Sequence, residues 1–278
     1  LVYQPRSTTT IKLLYGEAYQ APSPYRAYSN YGTFQPDGAG GYENVGGVRL
    51  PSPDLDPEEL KTWELGIIED ATEGLKLEAN FFYTEARNLI TGGKWEGSAV
   101  FGSLLPDDTS ITGITIDKWK KAENSGEATW WGGEFSVDYS QSISGVRLNY
   151  WANYSYLNGS LTAADGTKTE HPFIAKHKAK GGVTAIVNNY YISPSVRWVG
   201  QSNNHLITSP GSSNQRVKSH IVTDLNIGVT DIWRNLSASV NVQNLFDKRY
   251  YNAGGNWARH PSVPQEPRRV VLTLNYKF

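Results

Sequence analysis

The sequence predicts an all-β fold, an antiparallel transmembrane β-barrel segment of about ten strands, and three observations predict it. Aromatic residues (9 Trp, 17 Tyr and 8 Phe) and 27 Gly favour strands joined by turns. No apolar run approaches the roughly 20 residues of a membrane helix. Apolar and polar residues alternate, as the final strand illustrates with its apolar set (Val270, Leu272, Leu274, Tyr276, Phe278) and its polar set (Arg269, Thr273, Asn275, Lys277). Successive side chains of a strand face opposite sides, so one wall suits hydrocarbon and the other suits water.

The bulk composition excludes several classes of protein. The formal net charge of -1 gives no uniform field that would attract nucleic acid. The absence of cysteine excludes disulfides, metal–thiolate sites and thiol nucleophiles. The chain carries no methionine and no signal peptide and opens in what resembles the end of a strand, so we expect a fragment whose targeting signal lies upstream.

Apolar and polar side chains alternate with a period of two in five segments, which predicts the first five strands. Each is close to the 9 to 11 residues expected of a tilted membrane strand. Their bounds and apolar sides are Thr8–Ala18 (Ile11, Leu13, Tyr15), Leu60–Glu69 (Trp63, Leu65, Ile67), Leu75–Asn88 (Leu75, Leu77, Ala79, Phe81, Tyr83), Ala128–Ser140 (Trp131, Gly133, Phe135, Val137, Tyr139) and Val146–Tyr156 (Val146, Leu148, Tyr150, Ala152, Tyr154, Tyr156).

The last five strands follow the same rule, and Pro194 weakens one of them because proline cannot donate to a ladder. They are Lys176–Asn188 (Ala179, Val183, Ala185, Val187), Tyr190–Gly200, His220–Ile232 (Ile221, Leu225, Ile227, Val229), Leu236–Tyr250 (Leu236, Ala238, Val240, Val242) and the terminal strand.

The connections alternate between short turns, at about 70–74, 141–145, 188–190 and 233–235, and long loops, at about 19–59, 90–127, 157–175, 201–219 and 252–267. Outer-membrane barrels show this asymmetry, with tight periplasmic turns and long extracellular loops. A soluble sandwich is the alternative, although its strands are shorter and its turns more even.

Aromatic rings near strand ends favour the headgroup zone of a membrane. The rings are Tyr83, Tyr154, Tyr156, Tyr190, Trp198 and Tyr276. Ordinary cross-strand aromatic pairing would enrich the same residues, and spacing does not separate the two interpretations.

Four segments together resemble the C-terminal part of a TonB-dependent outer-membrane receptor across essentially the whole chain, 1–278. They are Tyr15-Gly-Glu-Ala-Tyr-Gln-Ala-Pro-Ser23, Pro53-Asp-Leu-Asp-Pro-Glu-Glu-Leu60, Val242-Gln-Asn-Leu-Phe-Asp-Lys-Arg-Tyr-Tyr251 and Leu274-Asn-Tyr-Lys-Phe278.

The resemblance implies a bacterial outer-membrane protein, part of a 22-stranded barrel whose separate N-terminal plug domain is absent here together with the N-terminal strands. Such receptors take up a scarce nutrient, usually a ferric siderophore, less often cobalamin, haem or a sugar. The implied partners are outer-membrane lipid, the plug, the TonB complex through the missing N-terminal part, and the outer-membrane assembly machinery. No cofactor is implied, and an iron chelate would be cargo.

The resemblance assigns two family motifs and a terminal signal to residues of this chain. Asn244, Leu245, Phe246 and Asp247 match a polar bend that braces a loop, and Pro53, Leu55, Pro57 and Glu58 match the start of a downward strand, where the prolines stiffen the loop. Tyr276 and Phe278 match the signal read by the assembly machinery, although Thr273 stands where a glycine is often found.

Candidate ligand contacts are aromatic and cationic loop residues, because such groups suit an anionic iron chelate. They are Tyr25, Tyr28, Tyr31, Phe34, Arg49, Trp95, Trp119, Trp257 and Arg259. The alternative is that these rings pack the loops on themselves.

Other kinds of site have little support in the sequence. The histidines, at positions 171, 177, 205, 220 and 260, lack the local spacing of a metal site, and the acidic loop residues Asp37, Glu43, Asp54 and Asp56 lack a calcium-loop pattern. The motifs Gly-x-Ser-x-Gly and His-Glu-x-x-His are absent, so the prediction is not an enzyme, with a barrel enzyme and a passive porin as competitors.

Several charged residues lie on the polar side of the predicted strands, which would face the barrel interior, and such charges need partners. As a hypothesis, we assign these residues to docking of the plug domain. They are Lys76, Glu78, Glu134, Arg147, Lys178 and Lys180.

Overall fold

The computed structural model describes residues 1–100, 114–163, 166–171, 173–203, 216–233, 235–254 and 262–277. In chain order its elements are β1 (Val2–Arg6), β2 (Thr9–Gln20), α1 (Pro24–Tyr28), β3 (Tyr31–Pro36), β4 (Tyr42–Leu50), β5 (Glu58–Thr72), β6 (Leu75–Thr91), β7 (Ala99–Val100), β8 (Thr115–Ile116), β9 (Trp119–Lys121), β10 (Glu123–Ile143), β11 (Val146–Thr162), β12 (Lys168–Glu170), β13 (His177–Val187), β14 (Tyr190–Val199), β15 (Ser202–Asn203), β16 (Arg216–Val217), β17 (His220–Trp233), β18 (Leu236–Gln243), β19 (Tyr251–Ala253), β20 (Ser262–Pro264) and β21 (Arg269–Tyr276).

One antiparallel sheet dominates the fold. Its strands follow the order β1-β2-β5-β6-β10-β11-β13-β14-β17-β18-β21, with β12 added beside β11. The predicted all-β antiparallel fold is confirmed. Within the described residues, β1 and β21 each pair on one side only, so the sheet is open at both edges. In the same part of the chain, no helix is both long and apolar enough to cross a membrane.

All ten predicted strands are present, but several bounds differ from the prediction. The strand β10 has 21 residues, and β6 and β11 have 17 each, because pairing continues well beyond the segments of alternation. The predicted strand 236–250 is too long, since β18 ends at Gln243. The next residue, Asn244, takes the left-handed conformation with φ of 52°, which breaks the ladder.

One face of the main sheet carries a continuous row of apolar side chains. A single cross-strand row runs through eight strands as Ile11, Ile67, Ala79, Phe135, Tyr154, Ala179, Trp198 and Ile221. Side chains of this face remain exposed, with Leu272 at 65% and Leu274 at 63%. In the described residues no second layer covers them, which excludes the soluble sandwich, because a sandwich buries this face against another sheet.

The opposite face of the same strands is polar. The next row runs through Asn80, Glu134, Ser155 and Lys178, and the row below it contains Glu78, Ser136, Asn153, Lys180 and Arg197. The predicted parity of the inward charges therefore agrees with the register. Such a wall suits the water-filled or plugged interior of a large barrel.

Aromatic residues mark two levels on the apolar face. At the upper level Tyr15, Trp63 and Tyr83 follow one another on adjacent strands, with ring centroids 5.3 and 5.9 Å apart. At the lower level Tyr139 stacks on Tyr150 at 6.0 Å. The upper level continues to Trp131, which pairs with Tyr83 and precedes Tyr139 by eight residues on β10. That separation is about 27 Å of strand, or about 20 Å of height at a tilt of about 40°, close to the apolar band of outer-membrane barrels.

The expectation that the rings lie near strand ends is confirmed for Tyr190, Trp198 and Tyr276 but is wrong for Tyr83, Tyr154 and Tyr156. Tyr83 lies well inside β6, which continues to Thr91. The ring instead marks the upper boundary of the apolar band, above which the paired strands continue.

The proline in β14 is accommodated inside the sheet. Pro194 pairs with Leu225 of β17, while the hydroxyl groups of Thr184 and Ser193 lie 2.8 Å apart across β13 and β14. Each residue of an antiparallel strand bonds to one neighbour only, so the missing N–H group affects one side of the strand. A side-chain hydrogen bond beside it supports the pairing there.

The short turns lie where they were predicted. Ser144 and Gly145 both have positive φ, at 49° and 82°, as a type I′ hairpin turn requires. Asn188 and Asn235 also take left-handed conformations at their turns, with φ of 50° and 67°. These tight turns fix the register of the hairpins on either side of them.

Close packing at Gly132 in β10 gives a test of this sheet. A Cβ atom there would lie 2.1 Å from the Tyr156 carbonyl oxygen and 2.8 Å from Phe82 Cζ. We expect Gly132→Ala to lower the free energy of unfolding by about 1–3 kcal/mol, measured by denaturant titration in lipid vesicles.

Gly16→Ala in β2 is the matched control, since nothing lies within 4 Å of its Cβ position. It should leave stability unchanged or raise it by about 0.4–1 kcal/mol. Equal unfolding midpoints for Gly132→Ala and the unchanged protein would contradict the packing described here.

Candidate ligand-binding site

The first two long loops fold together into a small body, which we call the loop module and define as α1, β3, β4, β7, β8 and β9. In it β3 pairs antiparallel with β4, and β4 pairs parallel with β9. Val48, Leu50 and Ile116 form its core, with exposures of 0%, 1% and 0%. Phe34, Ala99 and Trp119 pack against that core.

The other face of the module sheet is cationic and aromatic because of strand parity. Arg49 lies between the core residues Val48 and Leu50, and Lys120 follows the core-packed Trp119. The register places Tyr31, Arg49 and Lys120 side by side on β3, β4 and β9. Neighbours in such a row share one face, so these three side chains lie together.

Aromatic rings accompany each cation. The guanidinium carbon of Arg49 lies 5.6 Å from the centre of the Tyr31 ring. The ammonium groups of Lys118 and Lys120 lie 4.9 and 4.5 Å from the Trp95 ring. The Tyr25 hydroxyl donates to the Tyr31 hydroxyl at 2.9 Å, and the two rings stack at 6.0 Å. We call these six residues, Tyr25, Tyr31, Arg49, Trp95, Lys118 and Lys120, the cation–aromatic cluster.

Two glycines allow the side chains of the cluster to pack closely together. Gly47 has φ of 91°, and a Cβ there would lie 2.7 Å from both Trp95 Cζ3 and Lys118 Cγ. At Gly92 an added Cβ would lie 3.5 Å from both Arg49 Nη2 and Lys120 Nζ, so these two cationic nitrogens flank one backbone position.

The charges of the cluster are not compensated within the described residues. In that part of the chain no carboxylate lies within 4.0 Å of Arg49, Lys118 or Lys120. The Nε atom of Arg49 is buried and has no hydrogen-bond partner there. Burial, followed by the nearby positive charge of Arg49, lowers the pKa of Lys120 from its usual range. A bound anion would relieve this repulsion.

The segment that leads from the module into β5 is tied to the main sheet. The side chain of Asn124 in β10 accepts from the Asp56 amide at 2.8 Å and donates to the carbonyl groups of Asp56 and Asn88, both at 2.8 Å. Glu58 accepts from the Ile90 amide at 2.7 Å. Pro53 lies in a turn, and Leu55 and Pro57 lie in the irregular segment that leads into β5 at Glu58.

Of the predicted ligand residues, the structure brings together Tyr25, Tyr31, Arg49 and Trp95. Phe34 and Trp119 instead pack on the module core, and Tyr28 is 68% exposed on α1, outside the cluster. Trp257 and Arg259 lie outside the described residues. Lys118 and Lys120 were missed, although their alternation with Trp119 was the signal that could have identified them.

The polar bend at Asn244 is closely bonded. Its side-chain oxygen accepts from the Lys248 amide at 2.8 Å, its side-chain nitrogen donates to the Lys248 carbonyl at 2.9 Å, and its backbone N–H donates to Asp224 at 2.7 Å. Leu245 donates its amide to the Thr223 carbonyl, Phe246 is exposed, and Asp247 accepts from the Arg268 amide at 2.9 Å. These contacts brace the bend against the neighbouring strand β17 and against the residues that precede β21.

Other predicted sites give little chemistry. No group of three or more potential metal ligands occurs among the described residues. His220 is buried against Tyr250, with ring centroids 4.7 Å apart, and His177 bonds to the Tyr154 hydroxyl at 2.7 Å. His205, His260 and Phe278 lie outside the described residues, and Tyr276 is exposed on the apolar face at the edge of the sheet.

A family model described as "TonB dependent receptor-like, beta-barrel" matches residues 1–245. The metal-pseudopaline receptor CntO of Pseudomonas aeruginosa is 23% identical over 274 residues, covering 94% of this chain and 33% of that protein. The probable TonB-dependent siderophore receptor PiuA of Acinetobacter baumannii is 25% identical over 273 residues, covering 90% and 32%. The chain therefore spans about a third of the length of these curated relatives.

Solved structures resemble the fold. The siderophore receptor PirA from Acinetobacter baumannii matches with a TM-score of 0.69 and 19% identity, over all of this chain and 40% of that one. The Pseudomonas aeruginosa ferripyoverdine receptor bound to ferripyoverdine matches with a TM-score of 0.61 and 19% identity, over 98% and 31%. At this identity the likeness supports the fold alone.

The lowered pKa of Lys120 gives a test of the cluster. Amine acylation requires the neutral amine, so Lys120 should react at lower pH than an ordinary lysine. Because the positive charge of Arg49 contributes to the lowering, Arg49→Gln should move the midpoint of the Lys120 pH profile to higher pH. Mass spectrometry of acylated peptides measures the midpoint, and an unchanged value would contradict the proximity of the two groups.

Proposed function

The chain belongs to the TonB-dependent receptor-like β-barrel family, and from that premise we propose that it is the C-terminal part of an outer-membrane receptor that imports a ferric siderophore with energy relayed by TonB. Relatives that bear the names ferripyoverdine receptor and probable TonB-dependent siderophore receptor support this assignment. The family and its structural neighbours are receptors and transporters, which favours a transporter over an enzyme.

The observation that carries the proposal is the eight-strand apolar row on an exposed face, bounded by aromatic residues and backed by a polar wall. Lipid is the solvent that such a face requires, and a family member of this kind resides in the outer membrane. The strands upstream of residue 1 and an N-terminal plug complete the barrel in this proposal.

The loop module supports a ferric siderophore as the cargo. Relatives bear the names of receptors for metal-pseudopaline, ferripyoverdine and siderophores. The cation–aromatic cluster offers rings and uncompensated cations, which suit a chelate with negative charge and flat donor groups. Cobalamin and haem, the other cargoes considered, have no specific observation in their favour.

The polar wall supports docking of a plug. Lys76 and Glu78 pair with each other at 2.5 Å, so they need no outside partner. Lys178, Lys180 and Arg197 face inward, and across the described ranges no carboxylate lies within 4.0 Å of them. These three cations would meet acidic groups of the plug.

Energy-coupled uptake tests the proposed function. A strain that lacks its own siderophore receptors and produces the intact protein should accumulate radiolabelled iron from a ferric siderophore, and an uncoupler of the proton-motive force should abolish that accumulation. A passive porin would admit small solutes regardless of the uncoupler, so uptake that persists without energy would contradict the proposal.

Salt dependence tests the plug contact. The affinity of the barrel for a separately produced plug should fall as ionic strength rises above about 0.1 M, where the screening length is about 10 Å. Lys178→Gln combined with Lys180→Gln should weaken binding and reduce the salt dependence. Lys168→Gln, on the short strand β12, is the control, and a salt-independent affinity would count against this docking mode.

A further inference from the structure

We propose that Arg49 and Lys120 form a paired oxyanion site beside Gly92 that selects multivalent anionic chelates of the tris-catecholate class over neutral trihydroxamate chelates, an inference that rests on the proposed function. Three dianionic catecholates more than neutralise a ferric ion, whereas three monoanionic hydroxamates just balance it. The two chelate classes therefore differ mainly in charge and in aromatic surface.

The placement of the two cations is the first argument. Arg49 and Lys120 are directly registered on β4 and β9, and both of their terminal nitrogens lie against Gly92. Since glycine has no side chain, the space between the nitrogens is left to a ligand atom. Two converging donors are the arrangement that binds a pair of catecholate oxygens.

The charge balance is the second argument. Arg26 and Lys118 add their fields to that of Arg49 at Lys120, and no carboxylate of the described residues pairs with any of the four. A neutral ligand would displace water from these cations and offer no charge in return. An anionic ligand replaces the water by charge-assisted hydrogen bonds, each of which changes affinity by about ten- to a hundredfold.

The flanking rings are the third argument. Tyr31 and Trp95 lie on the two sides of the cation pair and are each 47% exposed, so both present ring surface to solvent. Catechol rings can stack on such surfaces while their oxygens face the cations. A trihydroxamate has aliphatic arms and gains less from the same rings.

A carboxylate introduced at Gly92 gives the sharpest test. The ideal Cβ position is 3.5 Å from both nitrogens and φ is not in the left-handed range, so Gly92→Asp would place its own anion in the site. Gly92→Asn is the matched control with nearly the same shape and no charge. Binding is measured on the intact receptor, with a ferric tris-catecholamide and ferrichrome as probes.

We expect the unchanged receptor to bind the tris-catecholamide at least about tenfold more tightly than ferrichrome. Gly92→Asp, Arg49→Gln and Lys120→Gln should each weaken catecholamide binding about tenfold or more, and Gly92→Asn and Lys168→Gln should change it less than about twofold. Equal effects of Gly92→Asp and Gly92→Asn, or ferrichrome binding as tight as catecholamide binding, would overturn the inference and leave the proposed function standing.

A ligand-free measurement keeps the test independent of the cargo. Gly92→Asp should shift the acylation midpoint of Lys120 to higher pH, and Gly92→Asn should not. A shift in neither variant overturns the paired site. If neither chelate binds and no energy-coupled iron uptake occurs, the inference and the proposed function both fail.

Discussion

Everything in this structure depends on the two-sidedness of an extended strand, which places apolar side chains on one face and polar side chains on the other. In hydrocarbon every backbone N–H and C=O group must be bonded within the protein, and the antiparallel ladder meets that demand for its strands from β2 to β18, each of which pairs on both sides. Once the ladder is fixed, parity assigns each side chain to the apolar or to the polar face. The apolar row from Ile11 to Ile221 and the polar row behind it are two outcomes of this one constraint.

The sheet of the loop module shows the same alternation, with a packed apolar core on one face and polar surroundings on the other. Its sheet directs Val48, Leu50 and Trp119 into a dry core and Tyr31, Arg49 and Lys120 to the other face. Packing on one face therefore concentrates cations on the other. The charge distribution of the module follows from the way it folds, and the core supplies the rigidity that holds the cations close to one another despite their repulsion.

The strands could be predicted from the sequence, whereas the structure of the long loops could not, and the reason is physical. Alternation and tight turns are local signals, so the ten strands and their faces could be predicted, with errors at the ends such as Gln243, where a single left-handed residue stops the pairing. The parallel pairing of β4 with β9 joins segments about seventy residues apart, and no local pattern encodes it. For that reason Arg49 and Trp95 could be proposed separately, whereas their connection through Lys120 required the structure.

The extra length of β10 has a mechanical consequence. From Glu123 to Trp130 the strand stands above the upper aromatic level; it is paired with β6 from Glu123, with two register shifts, and also with β11 from Glu127 onward. This part of β10 is therefore supported by its neighbouring strands, and Asn124 fixes the segment between the module and β5 to the main sheet. The chain that leads out of the loop module is thereby held at a fixed position above the upper aromatic level of the sheet.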